Sequence, residues 1–382
     1  MSEVYLIAAV RTPVGMGKPQ SGALYPVAPV DLAAHVLTEV MRRGGVEKPQ
    51  VEDVILGCVT PIGDQGANIA RLSALKAGFP VEVPAVQLNR MCGSSQQAVH
   101  FAAQAILAGD MDLVVAGGIE MMSHQPLGSD YPPEWPADFP YPLVHQGTSA
   151  EMMAAKYRLS RTALDDFAFE SHIRAGAAIQ AGRQAEQIAP VPVPDGDGGT
   201  RWVEHDQGVR IPPDRDKMAA LKPVFKEDGV VTAGNSSQIS DGAGALLVAS
   251  ERAVREHNLK PMARIVARTA VGTDPVLMLD APIPATRMVL ARAGMKPDQI
   301  DIFEVNEAFA SVTLAWHQEF PVDPAKLNPD GGAIAHGHPL GATGAVLMTK
   351  LVHELHRTGG RYGLQAMCIG HGMATATILE AL

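Results

Sequence analysis

The chain has 382 residues, 46% of them hydrophobic, and carries 31 Lys and Arg against 41 Asp and Glu for a net charge of −10. That length corresponds to two or three domains at ~150 residues each, with enough apolar content for large cores. The acidic balance excludes a broad nucleic-acid footprint and leaves any anionic ligand to be met by local Arg, Lys or helix N-termini.

Low aromatic content (5%) beside 37 glycines favours helices packed closely on sheets over an aromatic-rich sandwich. The three cysteines, Cys58, Cys92 and Cys368, are too few for a disulfide framework or a four-cysteine zinc site. Such usage suits a reducing compartment, with each thiol either inert or reactive. No segment approaches the ~18 continuous apolar residues of a membrane span. Met1 to Val10 has no basic stretch before an apolar one, so a cytoplasmic location is expected.

In chain order, Val4 to Val10 predicts a first strand, ended by Arg11-Thr12-Pro13. Leu32, Val36, Leu37 and Val40 are spaced for a helix over Val30 to Arg43, stopped at Gly44-Gly45. A buried strand follows over Val51 to Val59. An Ala-rich helix runs over Ser94 to Leu107 and ends at Gly109, and a strand over Asp112 to Ala116 is closed by Gly117-Gly118. From Met121 six prolines between Pro126 and Pro142 interrupt any regular element, with Tyr131, Trp135 and Phe139 among them. This is an excursion too long for a simple connection, and such segments often bind or cover ligands. Helical pattern resumes at Thr148 to Tyr157 and Arg161 to Ala181. Residues 182–215 read as a polar loop with an Asp-Gly run, Val230 to Val248 as glycine turns and a β run, and Pro261 to Ala270 as a fresh strand.

Three landmarks recur at a nearly constant spacing. Gly45 to Val54 matches Gly294 to Ile302, the turn at Cys92-Gly93-Ser94 matches His338-Pro339-Leu340-Gly341, and the strand at Leu113 matches that at Leu364. Two copies of one α/β unit are therefore expected.

Four clusters carry chemistry, each also open to a structural reading. Cys92 lies at a strand-to-helix turn, where the helix dipole lowers a thiol pKa, or it is a small core residue. His336 and His338 sit in the glycine-rich run Asn328 to Gly344, where a rigid turn can aim an imidazole as general base, or where histidines merely cap a helix. A metal reading through His336, His338 and His371 is weak, because no carboxylate stands beside them. Cys368-Ile369-Gly370 follows a strand and offers a thiol beside backbone N–H groups, or a buried cysteine and a turn. Asn306, at another strand end, can hold an oxygen or cap a helix.

Together these segments resemble the thiolases, the acetyl-CoA acyltransferases, over the whole chain. The matching runs are Asn89 to Ser94, Gly117 to Ser123, Thr232 to Asn235, Asp241 to Ala243, Val305 to Phe309, Gly331 to Ala335, Gly337 to Gly341 and Cys368 to Gly370, in the family's order. The resemblance implies a five-layered αβαβα fold of two repeated α/β halves. It divides the chain into a first half at 1–118 and 216–257, an inserted loop domain at 119–215 on the CoA and substrate side, and a second half at 258–382.

The implied activity is thiolytic cleavage of a 3-ketoacyl-CoA by CoA, a reversible Claisen condensation, with a biosynthetic acetoacetyl-CoA thiolase as the alternative. Cys92 is similar to the family's acyl-carrying nucleophile and His338 to its activating base. Cys368 resembles the acid/base, Asn306 the residue of one oxyanion hole, and the N–H groups of Cys92 and Gly370 a second. Ser237, His145 and Arg210 resemble CoA-contacting residues, Arg210 through variable sequence. No tightly bound cofactor is implied, CoA being a co-substrate, and the assembly is expected to be a homodimer or homotetramer. A decarboxylating ketosynthase lacks the second catalytic cysteine, and a non-catalytic acyl-CoA binder would not need all of Cys92, His338 and Cys368. The chain departs from the family at His336, at His371 and at Gln146, which puts chain-length preference in doubt. His371 is expected to stand near Cys368 and shift its titration.

Overall fold

The computed structural model describes residues 3–196 and 198–382. Met1 and Ser2, and Asp197 of the Asp-Gly run, lie outside these. The strands are β1 (Val4–Arg11), β2 (Gly15–Met16), β3 (Asp53–Gly57), β4 (Ala85–Leu88), β5 (Leu113–Met121), β6 (Val191–Pro194), β7 (Thr200–Val203), β8 (Ser240–Ser250), β9 (Ala263–Gly272), β10 (Ile302–Val305), β11 (Tyr362–Ile369) and β12 (Met373–Ala381). The helices are α1 (Pro29–Gly44), α2 (Ile69–Lys76), α3 (Ser94–Ala108), α4 (Gln146–Lys156), α5 (Arg161–Gln180), α6 (Arg215–Ala219), α7 (Glu251–Glu256), α8 (Pro282–Ala293), α9 (Ala310–Glu319), α10 (Ala333–His336) and α11 (Thr343–Thr358).

The main sheet runs β10-β11-β12-β9-β1-β8-β5-β3-β4, with β2 on β8. Its two halves join where Tyr5 and Leu6 of β1 pair with Arg264 and Ala263 of β9. Helices α3 and α11 fill the space between the halves. Val99, Ala103, Met348 and Leu351 of these helices share one core with Leu6, Val114, Leu246 and Ile265 of the strands. Helix α1 covers the outer face of the first half through Leu32, Val36 and Val40, and α8 that of the second through Val289 and Leu290. The result is five layers, helix–sheet–helix–sheet–helix, as the resemblance implies.

The repeat has a physical basis in its caps. Helices α1 and α8 both end on a left-handed glycine, Gly45 at φ 64° and Gly294 at φ 65°, and each leads through a short 3₁₀ turn to a buried strand. Gly109 and Gly359 end α3 and α11 in the same way. In each half two parallel strands, β3 with β5 and β10 with β11, are followed by an antiparallel one, β8 or β12.

Two local expectations are revised. Gly117-Gly118 does not stop the strand, because β5 continues to Met121. A Cβ at Gly117 would lie 2.1 Å from the Gly244 carbonyl oxygen, and one at Gly118 2.0 Å from that of Gly341, so these glycines serve close backbone approach. Within the supposed loop 182–215, β6 and β7 form an antiparallel hairpin. Val191 and Val193 point into the core while Pro192 and Pro194 face outward, so the prolines mask a strand rather than exclude one. Between Met121 and Gln146 there is no helix or strand, as the prolines require.

Candidate active site

Cys92 sits in a tight turn between β4 and α3. Ser94 Oγ donates to the Met91 carbonyl (2.6 Å) and accepts from the Arg90 N–H (2.9 Å), while Asn89 Oδ1 accepts from the Met91 N–H (2.7 Å). Met91 takes φ 45°, and a Cβ on Gly93 would lie 2.3 Å from Ile369 Cδ1, so only glycine lets the turn close onto β11. The N–H groups of Gly370 and of Cys92 itself, and the Gln146 side-chain amide, favour the Cys92 thiolate. A Cβ on Gly370 would stand 2.7 Å from Met91 Sδ and 2.8 Å from Gln146 Nε2, which fixes glycine at that position too.

The His338 imidazole is oriented from behind. Thr343 Oγ1 donates its one proton to the Pro339 carbonyl (2.8 Å), so at 2.6 Å from His338 Nδ1 it must accept. The proton therefore rests on Nδ1, leaving the Nε2 lone pair facing the cavity. Asn306 Nδ2 lies 3.4 Å from that Nε2 and 4.0 Å from Cys368 Sγ, which puts one amide between imidazole and thiol. Asn306 Oδ1 is buried with no partner among the described residues.

Burial governs the titrations. It raises Cys92 to about 11, against the lowering donors, and raises Cys368 to about 12, where the Cys92 charge adds and Asn306 subtracts. Burial lowers His338 to about 4. The expected depression of the Cys92 pKa by the helix dipole is thus reversed, because loss of water around a thiolate outweighs a few N–H donors. The resting pair is neutral thiol and neutral imidazole, and proton transfer to Nε2 belongs to the reaction itself.

The three histidines of the metal reading diverge. His336 Nε2 pairs with the Gly331 carbonyl at 3.0 Å, and its Nδ1 lies 3.5 Å from Asp206, which is itself bound by Arg11. His371 packs against Tyr131 and Trp135, with ring centroids 6.2 and 5.9 Å away. Burial lowers its pKa. Among the described residues no group of three or more His, Cys, Asp or Glu is placed to hold a metal.

A cavity of about 820 Å³ opens over His338 and Gly370. Ser237, His145 and Arg210 all line it. The Ser237 N–H donates to the Ala308 carbonyl (2.9 Å), and His145 stacks on Phe225 at 5.1 Å and caps α4.

This site lies in a chain whose residues 4–252 match the family model for the thiolase N-terminal domain and 259–381 that for the C-terminal domain. The chain belongs to the thiolase family. It is 47% identical to a steroid 3-ketoacyl-CoA thiolase of Mycobacterium tuberculosis, over all of this chain and 95% of that one. It is 40% identical to a beta-ketoadipyl-CoA thiolase of Acinetobacter baylyi over the full length of both. The crystal structure of the Bacillus anthracis acetyl-CoA acetyltransferase superposes with a TM-score of 0.92 at 38% identity, covering 100% of this chain and 99% of that one.

Three supporting residues of this thiolase escaped the sequence reading. Thr343 passed as part of the glycine-rich run Asn328 to Gly344, Gln146 as a variation bearing on specificity, and Glu120 as part of a matching run. Buried Glu120 accepts from the N–H groups of Val59 (2.8 Å), Thr60 (3.2 Å) and Gly341 (2.9 Å), tying the first half to the turn that carries His338. A hydroxyl five residues after a histidine at a helix start was the one available signal, and it is faint.

Proposed function

We propose that the protein cleaves 3-ketoacyl-CoA with CoA to give acetyl-CoA and a shortened acyl-CoA. The observation that carries this is Asn306 set between His338 Nε2 and Cys368 Sγ, with the Gly370 N–H favouring the Cys92 thiolate. Cys92 Sγ attacks the 3-keto carbon and His338 Nε2 takes its proton. The C2–C3 bond breaks with its electron pair on C2. His338 and Asn306 meet the charge on the departing thioester oxygen, and Cys368 delivers a proton to C2. The acyl group stays on Cys92 until the CoA thiol displaces it, its proton restoring Cys368 while His338 returns its own to the departing Cys92 sulfur and the N–H groups of Cys92 and Gly370 hold the oxyanion.

Ser237, His145 and Arg210 line the way in for CoA, a co-substrate rather than a resident cofactor. The biosynthetic alternative is not favoured, since relatives of 40–47% identity bear 3-ketoacyl-CoA or beta-ketoadipyl-CoA thiolase names. Three free cysteines suit the cytoplasm, and no helix among the described residues is long and apolar enough to cross a membrane. Strand β4, at the end of the sheet with Val86 exposed, offers an edge for a dimer or tetramer.

The direct test follows the absorbance of a 3-ketoacyl-CoA–magnesium complex as CoA is added, over acyl chains of graded length. Loss of absorbance is expected. Constant absorbance with every substrate would leave an acyl-CoA-binding protein. A second expectation concerns pH. With His338 lowered to about 4, its Nε2 stays unprotonated well below the ordinary 6.5. The acidic limb of kcat/KM should therefore have its midpoint below about pH 5. A midpoint near 6.5 would mean that another base, or a solvated His338, does the work.

A further inference from the structure

A second cleft lies away from the reacting groups and shares no lining residue with the catalytic cavity. It encloses about 330 Å³ between α3 and β9, and its polar lining is Gln97, His100, Gln104, Arg268, Thr269 and Arg292. Arg268 pairs with Thr377 across β9 and β12, and the His100 ring reaches the Thr377 hydroxyl (2.8 Å), so Arg268 looks toward α3. The Arg292 guanidinium comes over from α8 and donates to the Arg268 carbonyl (2.7 Å).

The charges gathered here have no counterpart. Half-buried arginines elsewhere meet carboxylates, Arg161 at Asp165 and Arg264 at Glu380. No carboxylate lines this cleft, although the chain carries a net charge of −10. The Arg268 pKa is lowered by burial and then by the Arg292 charge, and that of His100 to about 3 by burial and then by Arg268, Arg90 and Arg292. Hydrogen-bonding groups are left over as well. Arg268 Nε is buried with no partner among the described residues, and so is Oε1 of Gln97, a residue only 4% exposed. An anion between the two guanidinium groups would reverse their repulsion and give the buried N–H its missing bond.

We propose that this cleft is an oxyanion site, in which Arg268, Arg292 and the Gln97 amide, turned to present its N–H₂, hold a phosphate or carboxylate group. The flat fork of a guanidinium matches two oxygens of either group, and an amide N–H₂ adds a third donor. The group has two sources, a free phosphorylated molecule or a carboxylate side chain of a second copy of this chain, and the same contacts serve both. No residue of the catalytic cavity takes part, so the site stands or falls independently of the thiolytic reading.

The probe is inorganic phosphate, titrated calorimetrically into the full chain in dilute Tris chloride, with self-association followed by light scattering over protein concentration. For a free ligand, phosphate should bind with a dissociation constant on the order of 1 mM or below. Arg268→Gln and Arg292→Gln should each weaken that binding by about tenfold or more, whereas Arg210→Gln, in the catalytic cavity, should not. For a carboxylate of a second copy, the same two variants should shift self-association by about tenfold in protein concentration. Phosphate should then dissociate the wild-type protein where chloride at equal ionic strength does not. Either pattern supports the site. Phosphate binding and self-association that both variants leave at wild-type values overturn it, as does phosphate binding that Arg210→Gln alone removes. Both arginines reach solvent and each variant loses only an unpaired charge, so the variants are expected to fold, which circular dichroism checks.

Discussion

Cys92→Ser is expected to lower kcat on the order of 10³-fold or more, with the dissociation constant for acyl-CoA within about threefold of wild type. A loss of that size is ~4 kcal/mol of transition-state stabilisation. The sulfur is nearly inaccessible at 3% exposure and surrounded by Met91, Met122, Leu340 and Ile369. A serine oxygen would fit that space, so binding and folding should persist. It would fail as a nucleophile because an alkoxide in the same dry surroundings is far harder to form than the thiolate, which burial already pushes up to about 11. Steady-state thiolysis and calorimetric titration with acyl-CoA measure the two quantities. A variant within tenfold of wild-type kcat would remove Cys92 from the reaction.

The second large effect separates the two thiols. Cys368→Ala should lower thiolysis of 3-ketoacyl-CoA by about 10²- to 10⁴-fold, the usual range for losing a positioned acid/base. Exchange of an acetyl group between acetyl-CoA and labelled free CoA needs Cys92, His338 to move the thiol proton, and the oxyanion donors, but no acid/base at C2, because no carbon–carbon bond is made or broken. That exchange should stay within about fivefold of wild type, and it doubles as the check that the variant is folded. Equal losses in both assays would show that Cys368 supports the site rather than moving the proton on C2. Its setting favours the proton-transfer role. Asn306 is its side-chain neighbour at 4.0 Å, and burial above all holds it protonated, with a pKa raised to about 12.

Much of the fold was legible along the chain because it depends on local chemistry. The left-handed caps at Gly45, Gly109, Gly294 and Gly359 each have a glycine where a side chain would be strained, and they punctuate both halves alike. Helix α1 announces itself by the spacing of Leu32, Val36, Leu37 and Val40, all buried. The errors arose where a residue answers to something remote in sequence. Gly117 and Gly118 look like a strand stop until Gly244 and Gly341 are seen against them. Pro192 and Pro194 look like a loop until Val191 and Val193 are seen in the core.

By itself the sequence determined the inventory of the site: two cysteines, a glycine-framed histidine and an asparagine at strand ends of a repeated unit. Those residue types and turns follow from bonded geometry and short-range sterics, which are written locally. Only the tertiary structure decided their chemical states. Desolvation depends on everything packed around a group, and it turned an expected thiolate at Cys92 into a neutral thiol. The tautomer of His338 hangs on where the Thr343 proton goes. The contact of His371 with aromatic rings more than two hundred residues earlier in the chain required the proline-rich segment to be folded back over the second half.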